Sequence, residues 1–184
     1  MNAYIDSGVF IDYLVGRGHA GPYLRSADRR GRTPAQLGQD AEACLTRLAT
    51  GHVTLTSPLS CYEVEEALYR ELKRSATGVA HGDRFIIPAA RAVITQTLVT
   101  INLFGIRMVD LTSAIIAAQC QNIELQMRGV RAADALHVTT AVLAGAEMII
   151  STDDDILKLD GVFTAGNGTP LRCVDTDIAL TLIS

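Results

Sequence analysis

Four carboxylates stand out by their surroundings: Asp6, Glu63, Asp134 and Asp153. Asp6 closes the apolar segment that starts at Ala3, and Asp153 follows Met148-Ile149-Ile150-Ser151. Asp134 lies among small and apolar neighbours in Arg131-Ala-Ala-Asp-Ala-Leu-His-Val, where helical periodicity puts it on nearly one face with His137 and Ala141. Glu63 follows Ser57-Pro58-Leu59-Ser60-Cys61-Tyr62 and has no basic residue three or four positions away, so it lacks a local partner, unlike the Glu66–Arg70 pair. Each acid also fits a plainer role. Aspartate after a strand caps the next helix, and Asp134 would gain up to about 1 kcal/mol from a helix N-terminus or pair with Arg131. Brought together, the four repel one another and require a counter-charge. Oxygen ligands without His or Cys select a hard cation, Mg²⁺ or Mn²⁺, and such ions hold phosphates and turn water into a nucleophile.

Acids so far apart in sequence meet only if the elements carrying them share one edge of the fold. Ala3–Asp6, Val53–Thr56, Arg107–Asp110, Met148–Ser151 and Leu171–Val174 read as short apolar strands. Helices are expected over Ser7–Val15 (with Ser7 as N-cap), Pro34–Ala49, Pro58–Arg74, Ile87–Leu103, Ser113–Arg128 and Ala132–Ala144, with a turn of helix over Asp154–Leu159. Short strands alternating with helices predict a three-layer α/β/α sandwich around a central, mainly parallel sheet. In such a sheet ligands bind beyond the carboxyl ends of the strands, where Asp6 and Asp153 stand.

Composition is consistent with that plan. The 184 residues are 48% hydrophobic and 20% charged, which supports one domain with its own core and excludes a disordered chain, a collagen-like repeat and a coiled coil. The net charge of −4 argues against a protein that holds nucleic acid by overall charge, though not against a local basic patch. Four cysteines (Cys44, Cys61, Cys120, Cys173) without CxxC spacing read as buried free thiols. No signal peptide and no membrane span are expected, because the opening residues lack a basic and an apolar region and Phe85 to Met108 is interrupted by Pro88, Arg91, Gln96, Asn102 and Arg107. A soluble, cytoplasmic protein is the expectation.

The motifs taken together resemble the PIN domain, and in particular the VapC-type toxin ribonucleases. Tyr4-Ile5-Asp6-Ser7-Gly8-Val9-Phe10-Ile11-Asp12-Tyr13-Leu14 is similar to the family's opening, and Ser57 through Glu63-Val64 to Leu68 to the segment bearing its second acid. Asp134-Ala135-Leu136-His137 with Ala141 resembles the third, and Ile150-Ser151-Thr152-Asp153-Asp154-Asp155-Ile156 the strand-end pattern of the fourth. The resemblance runs from Tyr4 to Leu159 and implies Asp6, Glu63, Asp134 and Asp153 as catalytic, metal-binding acids, with Asp155 as a further metal-binding position. It places Ser7 and Ser151 beside the site and gives His137 a structural role. The implied activity is a Mg²⁺- or Mn²⁺-dependent endoribonuclease in which metal-activated water attacks an RNA phosphodiester without a covalent enzyme intermediate. The chain exceeds compact toxin members through extra material at 16–34 and 75–105, read as insertions in a single PIN-like domain spanning 1–184.

Partners follow partly from residues and partly from the resemblance. Arg17, Arg25, Arg29, Arg30 and Arg32 against Asp28 make a local basic run suited to phosphate contact or to a solvated surface, with Tyr23 available for stacking. Arg128 and Arg131 are a second candidate pair. The apolar stretch Ile86–Leu103 exceeds what one helix face needs. The resemblance implies a homodimer interface or a cognate antitoxin there, and RNA as substrate. The alternative is a catalytically weak PIN-like scaffold that binds RNA or protein. An acid-rich phosphatase or receiver domain fits poorly, because Asp6-Ser7-Gly8 lacks a DxD pair and Lys158, the only lysine after Asp134, does not end a later strand.

Overall fold

The computed structural model describes residues 1–18, 28–78 and 81–183. Along the chain they form β1 (Asn2–Ile5), α1 (Ser7–Gly16), α2 (Pro34–Ala49), β2 (Val53–Thr56), α3 (Pro58–Ser75), α4 (Asp83–Leu103) and β3 (Arg107–Met108). There follow α5 (Ser113–Gln121), α6 (Ile123–Met127), α7 (Ala132–Leu143), β4 (Met148–Ile150), α8 (Asp154–Leu157), β5 (Arg172–Val174) and α9 (Thr176–Leu182). Among the described residues the strands form one sheet in the order β3-β2-β1-β4-β5, with every neighbouring pair parallel. The register pairs Ala3 with Thr54 on one side and with Met148 on the other.

The two-residue period of the strands divides the core between the faces of the sheet. Ala3, Ile5, Met148, Ile150 and Val174 point into a cluster with Phe10, Leu45, Val64, Val93 and Ala179 from α1, α2, α3, α4 and α9. Tyr4, Leu55, Ile149 and Cys173 point the other way, against Leu125, Ala135, Val138 and Ile156 of α6, α7 and α8. A parallel sheet must be covered on both faces, and the chain is the expected α/β/α sandwich.

Local chemistry sets the element ends. α2 opens with a capping box: the Thr33 hydroxyl accepts from the Gln36 amide (3.4 Å), and the Gln36 side chain accepts from the Thr33 amide (2.9 Å), just before Pro34. Ser113–Arg128 is not one helix. Asn122 is extended (φ −79°, ψ 93°) and its side chain caps α6 by accepting from the Leu125 amide at 3.1 Å. Asp6, not Ser7, occupies the N-cap position of the first helix, extended and without a side-chain capping bond, its amide donating to the Ile150 carbonyl at 3.0 Å. α9, which none of the expected elements covers, follows the N-cap Asp175 and buries Thr176 and Ala179.

α4 packs along α3 and buries Ile86, Ala90, Val93, Thr97 and Ile101 at helical spacing, leaving Phe85, Val99 and Leu103 exposed. Among the described residues it is the one helix long and apolar enough to cross a membrane, over Arg84–Leu103, which departs from the expectation that no stretch qualifies. Its Arg91 meets Glu65 of α3 at 3.2 Å. α1 and α2 cross at Gly16 and Gly38, where a Cβ on Gly38 would stand 2.6 Å from the Gly16 Cα. Of the cysteines, Cys44, Cys61 and Cys173 are buried free thiols as expected, whereas Cys120 is exposed. Burial pushes the Cys44 and Cys173 thiols up to about 12.

Candidate functional site

The strand order decides where a site can form. From β1 the chain adds β2 and β3 on one side, then crosses to add β4 and β5 on the other. The order reverses between β1 and β4, which opens a crevice at their carboxyl ends. Asp6 follows β1 and Asp153 follows β4. Glu63 comes from α3, the helix after β2, and Asp134 from the first turn of α7, the helix before β4. All four line one cleft of about 420 Å³, with Ser7, Thr152, Arg70 and Arg131. Gly8 permits this closeness, since a Cβ there would lie 1.9 Å from the Thr152 hydroxyl oxygen.

One half of the cleft is tightly wired. The Ser151 hydroxyl donates to Asp6 Oδ2 at 2.6 Å, and the Ser7 hydroxyl lies 3.4 Å from Asp6 Oδ1. His137 is fully buried, with Nε2 2.7 Å from Glu63 Oε2 and 3.4 Å from Asp6 Oδ1. An ionised carboxylate can only accept, so Nε2 carries the proton and donates to Glu63. The Nδ1 atom meets the Tyr4 hydroxyl at 2.8 Å, and that hydroxyl donates to Ser57 Oγ at 2.9 Å. Burial works against the charge on both partners. It is outweighed for Glu63 by the hydrogen bond and charge of His137, which lower its pKa, and for His137 by Asp6 and Glu63, which raise it. Burial raises the Tyr4 pKa. Glu63 therefore has a partner, one 74 residues away on α7 and beyond the reach of helical spacing within α3. His137 holds two of the acids in place; its one signal in the sequence is its position three residues after Asp134.

The other half is loosely held. Asp134, Asp153 and Asp155 each offer an oxygen within 4.8 Å of the others. Arg131 sits among them, 3.4 Å from Asp134, 3.3 Å from Asp153 and 3.5 Å from Asp155. Burial, then the charge of Asp153, pushes the Asp134 carboxyl up to about 6, against the pull of Arg131. Asp153 also caps α8, accepting from the Asp155 amide at 2.7 Å, so the plain capping role and a place in the cleft coincide. Lys158 hydrogen-bonds Asp155 and holds its pKa below the usual range.

Among the described residues of the basic run, Arg29, Arg30 and Arg32 turn to carboxylates of the protein itself. Arg29 meets Asp12 at 2.9 Å and Asp175 at 3.2 Å, and Arg32 meets Asp175 at 2.5 Å and Asp40 at 2.8 Å. Arg30 meets Asp175 at 2.6 Å and also pairs with Asp154. The turn making this possible has positive φ at Arg30 (50°) and Gly31 (73°) between paired Arg29 and Arg32. Arg17 pairs with Glu42 and Arg128 with Glu124. Charge counted along the sequence could not reveal these partners, which lie on other elements. Tyr23 and Arg25 lie outside the described residues.

Two donor groups thus border the cleft: Asp6, Glu63 and His137, and Asp134, Asp153 and Asp155. The second is all oxygen, the set suited to a hard divalent cation. In the first, both ring nitrogens of His137 are engaged by Tyr4 and Glu63, which leaves the carboxylates as its available donors. The residues fit Mg²⁺ or Mn²⁺ and offer nothing that favours a softer metal. Compared with known proteins, the chain matches no family model and none of the curated proteins.

Proposed function

We propose that this protein is a Mg²⁺- or Mn²⁺-dependent endoribonuclease of the PIN type. The observation that carries the reading is the convergence of Asp6, Glu63, Asp134 and Asp153 from four separate elements on one cleft at the switch point of the sheet. Asp6 and Glu63 would form one part of the cation's shell, and Asp134 and Asp153, with Asp155 beside them, the other. A divalent cation bound there supplies charge for the phosphate and lowers the pKa of its water. The chain's own part is orientation. Ser151 fixes one oxygen of Asp6, His137 turns Glu63 toward the same centre, and the Tyr4–Ser57 pair holds the ring of His137. Arg70 and Arg131 add positive charge to the lining for a polyanionic substrate.

Within this reading the protein is the cytoplasmic toxin half of a toxin–antitoxin pair, a homodimer neutralised by a cognate antitoxin. The exposed Phe85, Val99 and Leu103 of α4 support a contact with such partners. Cleavage of a labelled single-stranded RNA with Mn²⁺, with Mg²⁺ and with EDTA tests the activity. Metal-dependent cutting that Asp134→Asn abolishes is the expected result. No cutting together with no Mn²⁺ binding by calorimetry would replace the enzyme with an RNA- or protein-binding scaffold.

A further inference from the structure

Arg131 is held unlike Arg29 and Arg32. Its side chain is 70% exposed, against 14% for Arg29 and 12% for Arg32. Its three contacts span 3.3 to 3.5 Å, longer than the roughly 2.7–2.9 Å of a well-formed charged pair. The Nε atom lies within ion-pair reach of both Asp134 and Asp155, while Nη2 donates to Asp153. The atoms it reaches are Oδ2 of all three acids, the acids whose oxygens lie within 4.8 Å of one another. It stands at the N-cap of α7, two residues after Gly129 (φ 69°), at the lip of the cleft.

We propose that the Arg131 guanidinium is the resident counter-cation of Asp134 and Asp153, sharing Asp155 with Lys158, and that it must leave these oxygens before they can hold a divalent metal. The inference rests on the metal-site reading above. Three converging carboxylates need positive charge whenever no metal is present. A loosely bonded, solvent-facing guanidinium supplies it without forming a competitor that a divalent ion cannot displace. The cost is a weaker apparent metal affinity, because each binding event must first break three ion pairs. Arg131 is therefore a positioning residue that sets the metal concentration at which the site fills.

Calorimetric titration of Mn²⁺ into the wild-type protein, Arg131→Gln, Arg131→Lys and Asp153→Asn at one pH and low salt reads this directly. Loss of the guanidinium in Arg131→Gln should tighten Mn²⁺ binding by about three- to tenfold, the range for removing one screened neighbouring charge. Arg131→Lys keeps the charge and should stay within about twofold of wild type. Unchanged or weaker binding in Arg131→Gln, while the wild type binds Mn²⁺ and Asp153→Asn does not, would overturn the counter-cation role and leave the metal site standing. Absence of Mn²⁺ binding in both wild type and Arg131→Gln would overturn the metal site and this role together.

Discussion

Two clusters of aspartate and arginine lie close together here, and they are built on opposite terms. In the clasp of Arg29, Arg30 and Arg32 with Asp12, Asp40, Asp154 and Asp175, three guanidinium groups share four carboxylates in close contact. Around the cleft, Asp6, Glu63, Asp134, Asp153 and Asp155 have only His137, the loosely held Arg131 and, at Asp155, the surface residue Lys158. The clasp is the more nearly balanced, three positive charges against four negative ones held in close contact, so its charges stabilise the fold. The cleft is under-compensated, and its surplus negative charge is what a cation would neutralise. Charge that a protein leaves unbalanced in a cavity points to a ligand, while charge that it balances points to architecture.

Breaking the clasp should have the largest effect on stability. Asp175→Ala removes a buried carboxylate that three arginines share and that caps α9, so it should cost about 3–5 kcal/mol, on the order of 10 °C in Tm by thermal unfolding. A loss of only a degree or two would mean that the clasp is as loose as the cleft.

The cleft should respond next, through pH. A metal binds the ionised carboxylate, and the Asp134 carboxyl is pushed up to about 6. Mn²⁺ affinity measured by titration should therefore hold steady above pH 6 and fall by up to about tenfold per unit below it. Affinity flat down to pH 5 would remove Asp134 from the ligand set.

Stability should change in the opposite sense in the two regions. Asp134 has a folded pKa above the ordinary aspartate value, so its charged form opposes folding above pH 6, and that penalty fades as the pH falls toward 4. Asp134→Asn should accordingly raise Tm at neutral pH by about 2–4 °C, equivalent to about 1 kcal/mol after allowance for solvent screening. Burial alone would raise the Asp175 pKa, but the charges of Arg29 and Arg32 and its hydrogen bonds bring it below the ordinary value. The stability from Asp175 is therefore complete above pH 4 and is lost as the pH drops through that lower folded value. Urea unfolding of both variants across pH 3–7 separates the two slopes; parallel profiles would contradict the contrast. The smallest effect belongs to the exposed Asp155–Lys158 pair, where Lys158→Ala should leave Tm unchanged within error.

The elements were legible wherever local chemistry fixes them. Pro34 and the Thr33–Gln36 box mark α2, and the β-branched run Val53–Thr56 is a strand with the predicted bounds. The break at Asn122 was missed because its neighbours keep a helical pattern, and only its capping side chain shows the interruption. The four acids could be picked out because strand ends and an acid among small apolar residues are local signals. Their wiring could not, since Glu63 meets His137, and Arg29 meets Asp175, across distances in sequence that no periodicity encodes. Counting charges from 17 to 32 leaves phosphate contact and a solvated surface both open, and for Arg29, Arg30 and Arg32 the tertiary partners show a third role, as ion pairs within the fold.

The placement of β1 between β2 and β4 bears on how the molecule assembles. Asp6 reaches Ser151 over a separation of 145 residues, while β1 and β2 pair within the first 56. Closing so long a loop is entropically late, and folds dominated by such pairings form slowly. A chain that has joined only β1, β2 and α3 holds Asp6 and Glu63 but neither Asp134, Asp153 nor the imidazole between them. The cleft is thus complete only once α7 and the end of β4 have joined β1 and α3, and any chemistry it performs is withheld from partly folded chains.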